Sequence, residues 1–363
     1  MTVSTPQNIQ VIGRTQHVHV DLASGASGQE TGIRFGFPGV TLRTRFTGTY
    51  LCINVTKTNA AVSSYFLVLV DIPPNSAQYA TIDSSAGTRI EISSSPNSQS
   101  IIIAENLTNT EHTVELVHLT ETWIGVITVE SLSTDGIFST EPVGLPTERK
   151  LLLIGDSVTC GAAMVLPDST RQTPIGANAF DSYGMRLARL LNAQCHLVSY
   201  GGKGLIRDYL GNSDWTGPKL FETSIPEDSV KSQWNHASYI PDAILISLCT
   251  NDVNTGIPNE MVFVDAYVSF LKRIRQVYAN AQVFITEGAI VNDGRNEKFG
   301  GAPVKSIICG YLERVIELVD DAKIKAISSN HYPGTPADVH PIDTEHESMA
   351  QDFVSIFKDN LLW

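Results

Sequence analysis

No apolar run in these 363 residues is long enough to cross a bilayer; the longest, near 65–70 and 243–249, are strand-sized. Positive charge is also scarce. Lys and Arg number 25 against 38 Asp and Glu, a formal net charge of −13. Nothing here neutralises a phosphate backbone or an anionic membrane surface, so nucleic-acid and membrane partners are excluded. The start, MTVSTPQNIQ, has neither a basic nor an apolar stretch. With no signal peptide visible, the cytoplasm is the default compartment, and secretion is expected only if a leader has been removed. The five cysteines (Cys52, Cys160, Cys195, Cys249, Cys309) are odd in number, widely spaced and without a CxxC pair. Neither a zinc knuckle nor a disulfide framework is expected, and the thiols read as reduced and buried. No spacing asks for a metal or other cofactor.

What is present falls into two halves with different periods. The length favours two domains over one. Residues 1–138 read as strands: "VTLRTRFTGTYLCINV" (40–55) alternates until Gly48 breaks it, "SYFLVLVD" (64–71) is a buried run, and "HTVELVHLTE" (112–121) alternates for most of its length. "IEISSS" and "SIIIAEN" add two more, separated by Ser/Asn/Pro turns. An all-β sandwich or jelly roll follows. "STEPVGLPTE" lies in a linker over 139–149. From 150 to 363 strands alternate with helices. "DSYGMRLARLL" places Tyr183, Leu187, Leu190 and Leu191 on one stripe, and Thr344 with Glu347 reads as a capping box opening the last helix. That alternation means an α/β unit with a parallel sheet covered on both faces, whose catalytic groups lie beyond the strand carboxyl ends.

Four such ends carry chemistry. "LLLIGDS" brings Ser157 to the end of the first parallel strand, although taken alone the tripeptide favours an ordinary strand-to-helix turn. "SYGGKGL" leaves backbone N–H groups uncovered at Gly201, Gly202 and Gly204, "LCTNDVN" presents Asn251 and Asp252, and "PADVHPID" sets Asp338 two residues before His340. A hydrolytic serine needs a base, a group to orient that base, and donors for an oxyanion. The chain offers one of each.

These blocks resemble those of the SGNH (GDSL-type) hydrolases, in order and spacing, over most of 150–363. "GR" at 13–14, "FPG" at 37–39, "FTGTYL" at 46–51 and "LVLVD" at 67–71 resemble the jelly-roll domain of carbohydrate esterase family two. The resemblance implies a jelly roll followed by a three-layer α/β hydrolase. The implied enzyme is a serine esterase that removes short acyl groups, acetyl above all, from oligo- or polysaccharides through an acyl-enzyme. Carried over, Ser157 is the nucleophile, His340 the base and Asp338 its orienting acid. The N–H groups of Ser157 and Gly202 and the Asn251 amide then form the oxyanion hole. Two positions depart from the pattern: Cys249 stands where the third block usually begins with Gly, and Val339 replaces the usual aromatic between Asp and His. The residues themselves say only acyl transfer to water. A lipase- or thioesterase-like enzyme of longer acyl esters and a non-catalytic carbohydrate-binding protein remain alternatives.

Other features have plainer readings. "HVHVD" points His17, His19 and Asp21 to one strand face, where an exposed surface is expected over a divalent site. Cys160 reads as packing rather than a second nucleophile. Trp215 and Trp234, in the irregular stretch 206–240, either wall a cleft or pack inside.

Overall fold

The alternating stretches of the first 138 residues pair into two antiparallel sheets. The structure, a computed structural model, describes all residues except 1, 5–8, 21–29, 60, 75, 96, 142, 144–146, 228–231, 295–300 and 362. Its strands here are β1 (Thr2–Ser4), β2 (Gln10–Ile12), β3 (Gln16–Val20), β4 (Glu30–Phe35), β5 (Thr41–Gly48), β6 (Leu51–Lys57), β7 (Ser64–Val70), β8 (Thr88–Ile92), β9 (Gln99–Ala104), β10 (Thr110–His118), β11 (Ile127–Thr134) and β12 (Ile137–Phe138). One sheet runs β3-β4-β11-β6-β9 with β1 also on β11; the other runs β12-β5-β10-β7-β8 with β2 also on β5. Phe35, Ile53, Phe66, Leu116 and Val129 fill the space between them. A short helix, α1 (Ala77–Thr81), flanks the second sheet.

The remaining elements are β13 (Lys150–Gly155), α2 (Ser157–Cys160), α3 (Asp168–Arg171), α4 (Tyr183–Leu190), β14 (Gln194–Ser199), α5 (Gly217–Phe221), β15 (Ala243–Ser247), α6 (Glu260–Val277), β16 (Gln282–Thr286), α7 (Val304–Val319), β17 (Ile324–Ala326) and α8 (Asp343–Leu361). All five strands are parallel, in the order β14-β13-β15-β16-β17. The chain leaves β13 to one side for β14 and returns on the other for β15. Their carboxyl ends therefore diverge and open a crevice.

The two halves share a core. Phe66 and Val68 of β7 belong to the core between the sheets, while Leu67 and Leu69 belong to the buried cluster that also holds Met185 and Ala188 of α4. Burial on both faces is why "FLVLV" (66–70) is apolar throughout rather than alternating. It also corrects the stripe expected on α4. Leu190 is only partly buried, whereas Gly184, Met185, Ala188 and Arg189 are covered because the β half lies over what would be the solvent side. A second tie is the "GR" pair. The buried Arg14 guanidinium donates to the carbonyls of Phe221 and Thr223, each at 2.7 Å, and the Gly13 N–H donates to His196 Nε2 at 3.0 Å. At the other end, α8 starts at Asp343, one residue before the expected cap. Glu345, not Glu347, reaches back to the Ile342 N–H at 2.9 Å, so the Thr344–Glu347 capping box does not form.

Candidate active site

Strand β13 is buried from Leu151 onward and delivers Ser157 to the crevice as the first residue of α2. Asp156 caps that turn, its carboxylate accepting from the Val158 N–H at 3.0 Å, which fixes the backbone on which Ser157 sits. Ser157 Oγ lies 2.9 Å from His340 Nε2, and His340 Nδ1 lies 2.8 Å from Asp338 Oδ1. With Nδ1–H donating to the carboxylate, Nε2 is left as the acceptor for the serine hydroxyl.

Two residues apart, Asp338 and His340 meet only because the loop bends. Thr335 and Asp338 exchange backbone hydrogen bonds of 2.8 and 3.2 Å, and Asp338 Oδ1 also accepts the His340 backbone N–H at 3.0 Å. Gly334 sits against this bend at φ +68°, where a Cβ would come within 2.2 Å of the His340 carbonyl oxygen, so no larger residue fits. Burial works to raise the Asp338 carboxyl. The His340 ring and backbone donors, the His340 charge and the Gln172 amide outweigh it and hold the carboxyl below its ordinary range.

Arg171 holds the same loop from behind. Its buried guanidinium donates to the His340 carbonyl at 2.6 Å, the Thr335 hydroxyl at 2.9 Å and the Asp338 carbonyl at 3.3 Å, while Nε donates to the Ala163 carbonyl at 2.6 Å. Gln172 Nε2 donates to Asp338 Oδ2 at 2.5 Å. Sequence reasoning missed both; "DSTRQT" carries no signal of what a distant loop will bring to it.

Among the described residues, no acceptor takes the N–H of Ser157 or of Gly202, and both residues line the cavity. Asn251 lines it too, but its amide nitrogen is engaged with the Lys203 carbonyl at 3.0 Å and Asp156 Oδ2 at 3.3 Å. Asp252 does not reach the site. Fully buried, it accepts the N–H groups of Leu205, Ile206 and Arg207 and so shapes the chain after the glycines. Cys249 adopts φ +121°, a backbone region that favours glycine. Its sulfur points away from the cavity, toward the Thr286 carbonyl at 3.8 Å, so the substitution leaves the pocket outline alone.

The cavity measures about 920 Å³, and Val339 lines it. Trp215 and Trp234 do not: Trp215 packs on the core and Trp234 lies under Arg14, 5.0 Å from its guanidinium. The tryptophan in the wall is Trp123, which with Glu121 comes from the β half, at the end of "HLTETW". Cys160 is buried beside Ser199 Oγ at 3.2 Å, and burial pushes its thiol well up, which leaves no ready thiolate. His17 and His19 are exposed on one face of β3, and Asp21 lies outside the described residues.

Residues 26–139 match the family described as Carbohydrate esterase 2 N-terminal. Over 359 residues, 98% of this chain and 90% of the relative, the sequence is 32% identical to an acetylxylan esterase / glucomannan deacetylase of Cellvibrio japonicus (strain Ueda107). The chain belongs to carbohydrate esterase family two. It is a carboxylic ester hydrolase with an SGNH-type α/β unit behind a β-sheet domain. A family two carbohydrate esterase structure from Cellvibrio japonicus superposes with a TM-score of 0.85 at 29% identity, covering 100% of this chain and 98% of that one. A family two structure from Clostridium thermocellum, in complex with cellohexaose, shares the fold at TM-score 0.77 and 21% identity, covering 98% and 99%.

Proposed function

We propose that Ser157, His340 and Asp338 form a catalytic triad that removes acetyl groups from hydroxyls of oligo- or polysaccharides. The β domain over 1–138 and the hydrolase domain over 150–363, joined by the linker 139–149, build the site together. The observation carrying this reading is the unbroken chain Ser157 Oγ, His340 Nε2, His340 Nδ1, Asp338 Oδ1, at 2.9 and 2.8 Å. The relative from Cellvibrio japonicus named for acetylxylan and glucomannan supports the acyl group and the polysaccharide class.

In the first step the Ser157 hydroxyl gives its proton to His340 Nε2 as Oγ bonds to the acetyl carbon. The carbonyl oxygen becomes an oxyanion facing the N–H groups of Ser157 and Gly202. Asn251 joins them by turning one amide hydrogen from Asp156, its longer partner. Collapse breaks the bond to the sugar oxygen, which takes the proton from Nε2 and leaves as a free hydroxyl, with acetyl on Ser157. A water then gives its proton to Nε2 while its oxygen bonds to the acetyl carbon. The bond to Oγ breaks, Oγ recovers the proton from Nε2, and the product leaves as acetic acid, which ionises to acetate in water. Asp338 stays ionised throughout and faces the imidazolium each time it forms.

The test is release of acetate from acetylated xylan or glucomannan, with Ser157→Ala and His340→Ala each expected to abolish nearly all of it. A phosphonate ester should label Ser157 alone, read by peptide mass. Acetyl esters should turn over faster than octanoyl esters; the reverse order would favour a lipase-like enzyme. Full acetate release by Ser157→Ala would end the triad reading.

A further inference from the structure

We infer that Glu121, with the Trp123 indole beside it, recognises the sugar rather than the acyl group: its carboxylate accepts a hydroxyl of the leaving saccharide while the indole covers an adjacent C–H face. This rests on the esterase reading above and adds a specificity-determining residue supplied by the β half.

Four observations carry it. Glu121 and Trp123 both line the cavity that holds Ser157 and His340. The Glu121 carboxylate lies so close to the oxyanion-loop backbone that a Cβ on Gly201 would come within 2.3 Å of Oε2, and that same point is 3.6 Å from Ser157 Cβ. Carboxylate and nucleophile therefore share one small volume. Glu121 also precedes the short 3₁₀ turn Thr122–Ile124 as its N-terminal cap residue, yet its side chain makes no capping hydrogen bond. The carboxylate faces the cavity instead, with the Trp123 indole beside it. Finally, the segment is pinned where it stands. The Thr122 hydroxyl donates to the Ser199 carbonyl at 2.6 Å, at the end of β14, and the Ala179 N–H donates to the Leu119 carbonyl at 3.1 Å.

The chemistry suits a carbohydrate. Sugars offer hydroxyl donors around a rim and an apolar C–H face, and a carboxylate next to an indole meets both. Trp123 is 39% exposed where it lines the cavity, so its indole offers surface to a ring bound there. A simple acyl ester with a flat, hydroxyl-free leaving group has nothing to give Glu121. The residue therefore separates polyhydroxylated alcohols from others by the part of the substrate that departs.

The experiment compares kcat/KM for a monoacetylated methyl xyloside, whose other hydroxyls are free, with that for phenyl acetate. Assayed at about pH 8, where the Glu121 carboxyl is ionised, Glu121→Gln and Glu121→Ala are expected to lower the ratio of the two, by roughly ten- to a hundredfold for Ala, the worth of a hydrogen bond to a charged acceptor. Trp123→Ala should lower the same ratio, mainly through KM. A parallel titration uses Ser157→Ala, in which no chemistry occurs. There the monoacetylated xyloside should bind, and adding Glu121→Ala should weaken it by a similar factor. An unchanged ratio together with unchanged binding would overturn the inference, as would equal losses on both esters, which would mean that Glu121 acts through His340. Failure of the wild-type protein to cleave either ester would instead sink the esterase reading, and the titration would still judge Glu121.

Discussion

Replacing Asp338 by Asn is the sharpest test of the triad, because the surrounding donors decide how the amide must sit. Oδ1 accepts from two groups, the His340 backbone N–H at 3.0 Å and Nδ1 at 2.8 Å, whereas Oδ2 accepts from the Gln172 amide at 2.5 Å. An asparagine keeps its oxygen where two donors converge and turns its NH₂ toward Gln172. That exposed glutamine can flip its own amide and present an oxygen. His340 then retains the tautomer with Nδ1 protonated. What is lost is the negative charge opposite the imidazolium of the transition state. A hydrogen bond to a charged partner is worth ~1.5–3 kcal/mol and a neutral one ~0.5–1.5 kcal/mol. The barrier should therefore rise by about 1–2 kcal/mol, a loss of roughly 5- to 30-fold in kcat. A wrong tautomer would cost about 10⁴. The assay is steady-state hydrolysis of p-nitrophenyl acetate by wild type, Asp338→Asn, and Asp338→Asn combined with Gln172→Lys, in which no flip can supply an oxygen. The double variant should lose more than the single one. A single-variant loss near 10⁴ would refute the orientation argument, and a loss under twofold would leave a working dyad of Ser157 and His340.

Arg171→Lys keeps a charge but cannot span the carbonyls of Ala163, Asp338 and His340. It should cost about 3 kcal/mol of stability and drop kcat at least tenfold with little change in KM; a lowered melting temperature with unchanged kcat would show the loop is held by other means. Asn251→Ala removes one donor for the oxyanion and should lower kcat by about 10²–10³, whereas a purely raised KM would make Asn251 a substrate-positioning group. Glu121 is pushed up to about 7, first by burial and then by Asp156, against the pull of the Trp123 indole and His340. The folded protein thus holds a proton that the unfolded chain releases near the ordinary glutamate value. Stability from this group is full below that value and declines as pH rises toward 7. Glu121→Gln should flatten the decline and raise the melting temperature above pH 7 by about 2 °C, taking ~1 kcal/mol after allowing for partial exposure; an unaltered pH profile of thermal unfolding would refute the raised carboxyl.

The sequence by itself determined the element types, the two-part order and the blocks that carry Ser157, Asn251 and His340. Each of those depends on local facts. Alternation with period two makes β5 and β6 on either side of Gly48, a period near 3.6 makes α6 and α7, and an apolar run ending in Gly-Asp-Ser ends a parallel strand. Asp338 was legible as an acid two residues from His340, but the bend that brings the two side chains together is held from outside the loop by Arg171. Tertiary structure alone decided the rest. Ala188 and Arg189 are buried and Leu190 only partly so, because α1, about a hundred residues earlier, packs on the far side of α4. Arg171 and Gln172 occupy a stretch with no motif, and Glu121 closes the alternating run "HTVELVHLTE" with nothing to mark a role; all three matter through backbone and side-chain groups that the fold carries to them. The same holds for the cleft tryptophan. Trp123 lines the cavity and Trp215 and Trp234 do not, because Thr122 ties its turn to the end of β14. Local periodicity places residues on elements; which elements meet at a strand end is set by long-range packing, and no short stretch records it.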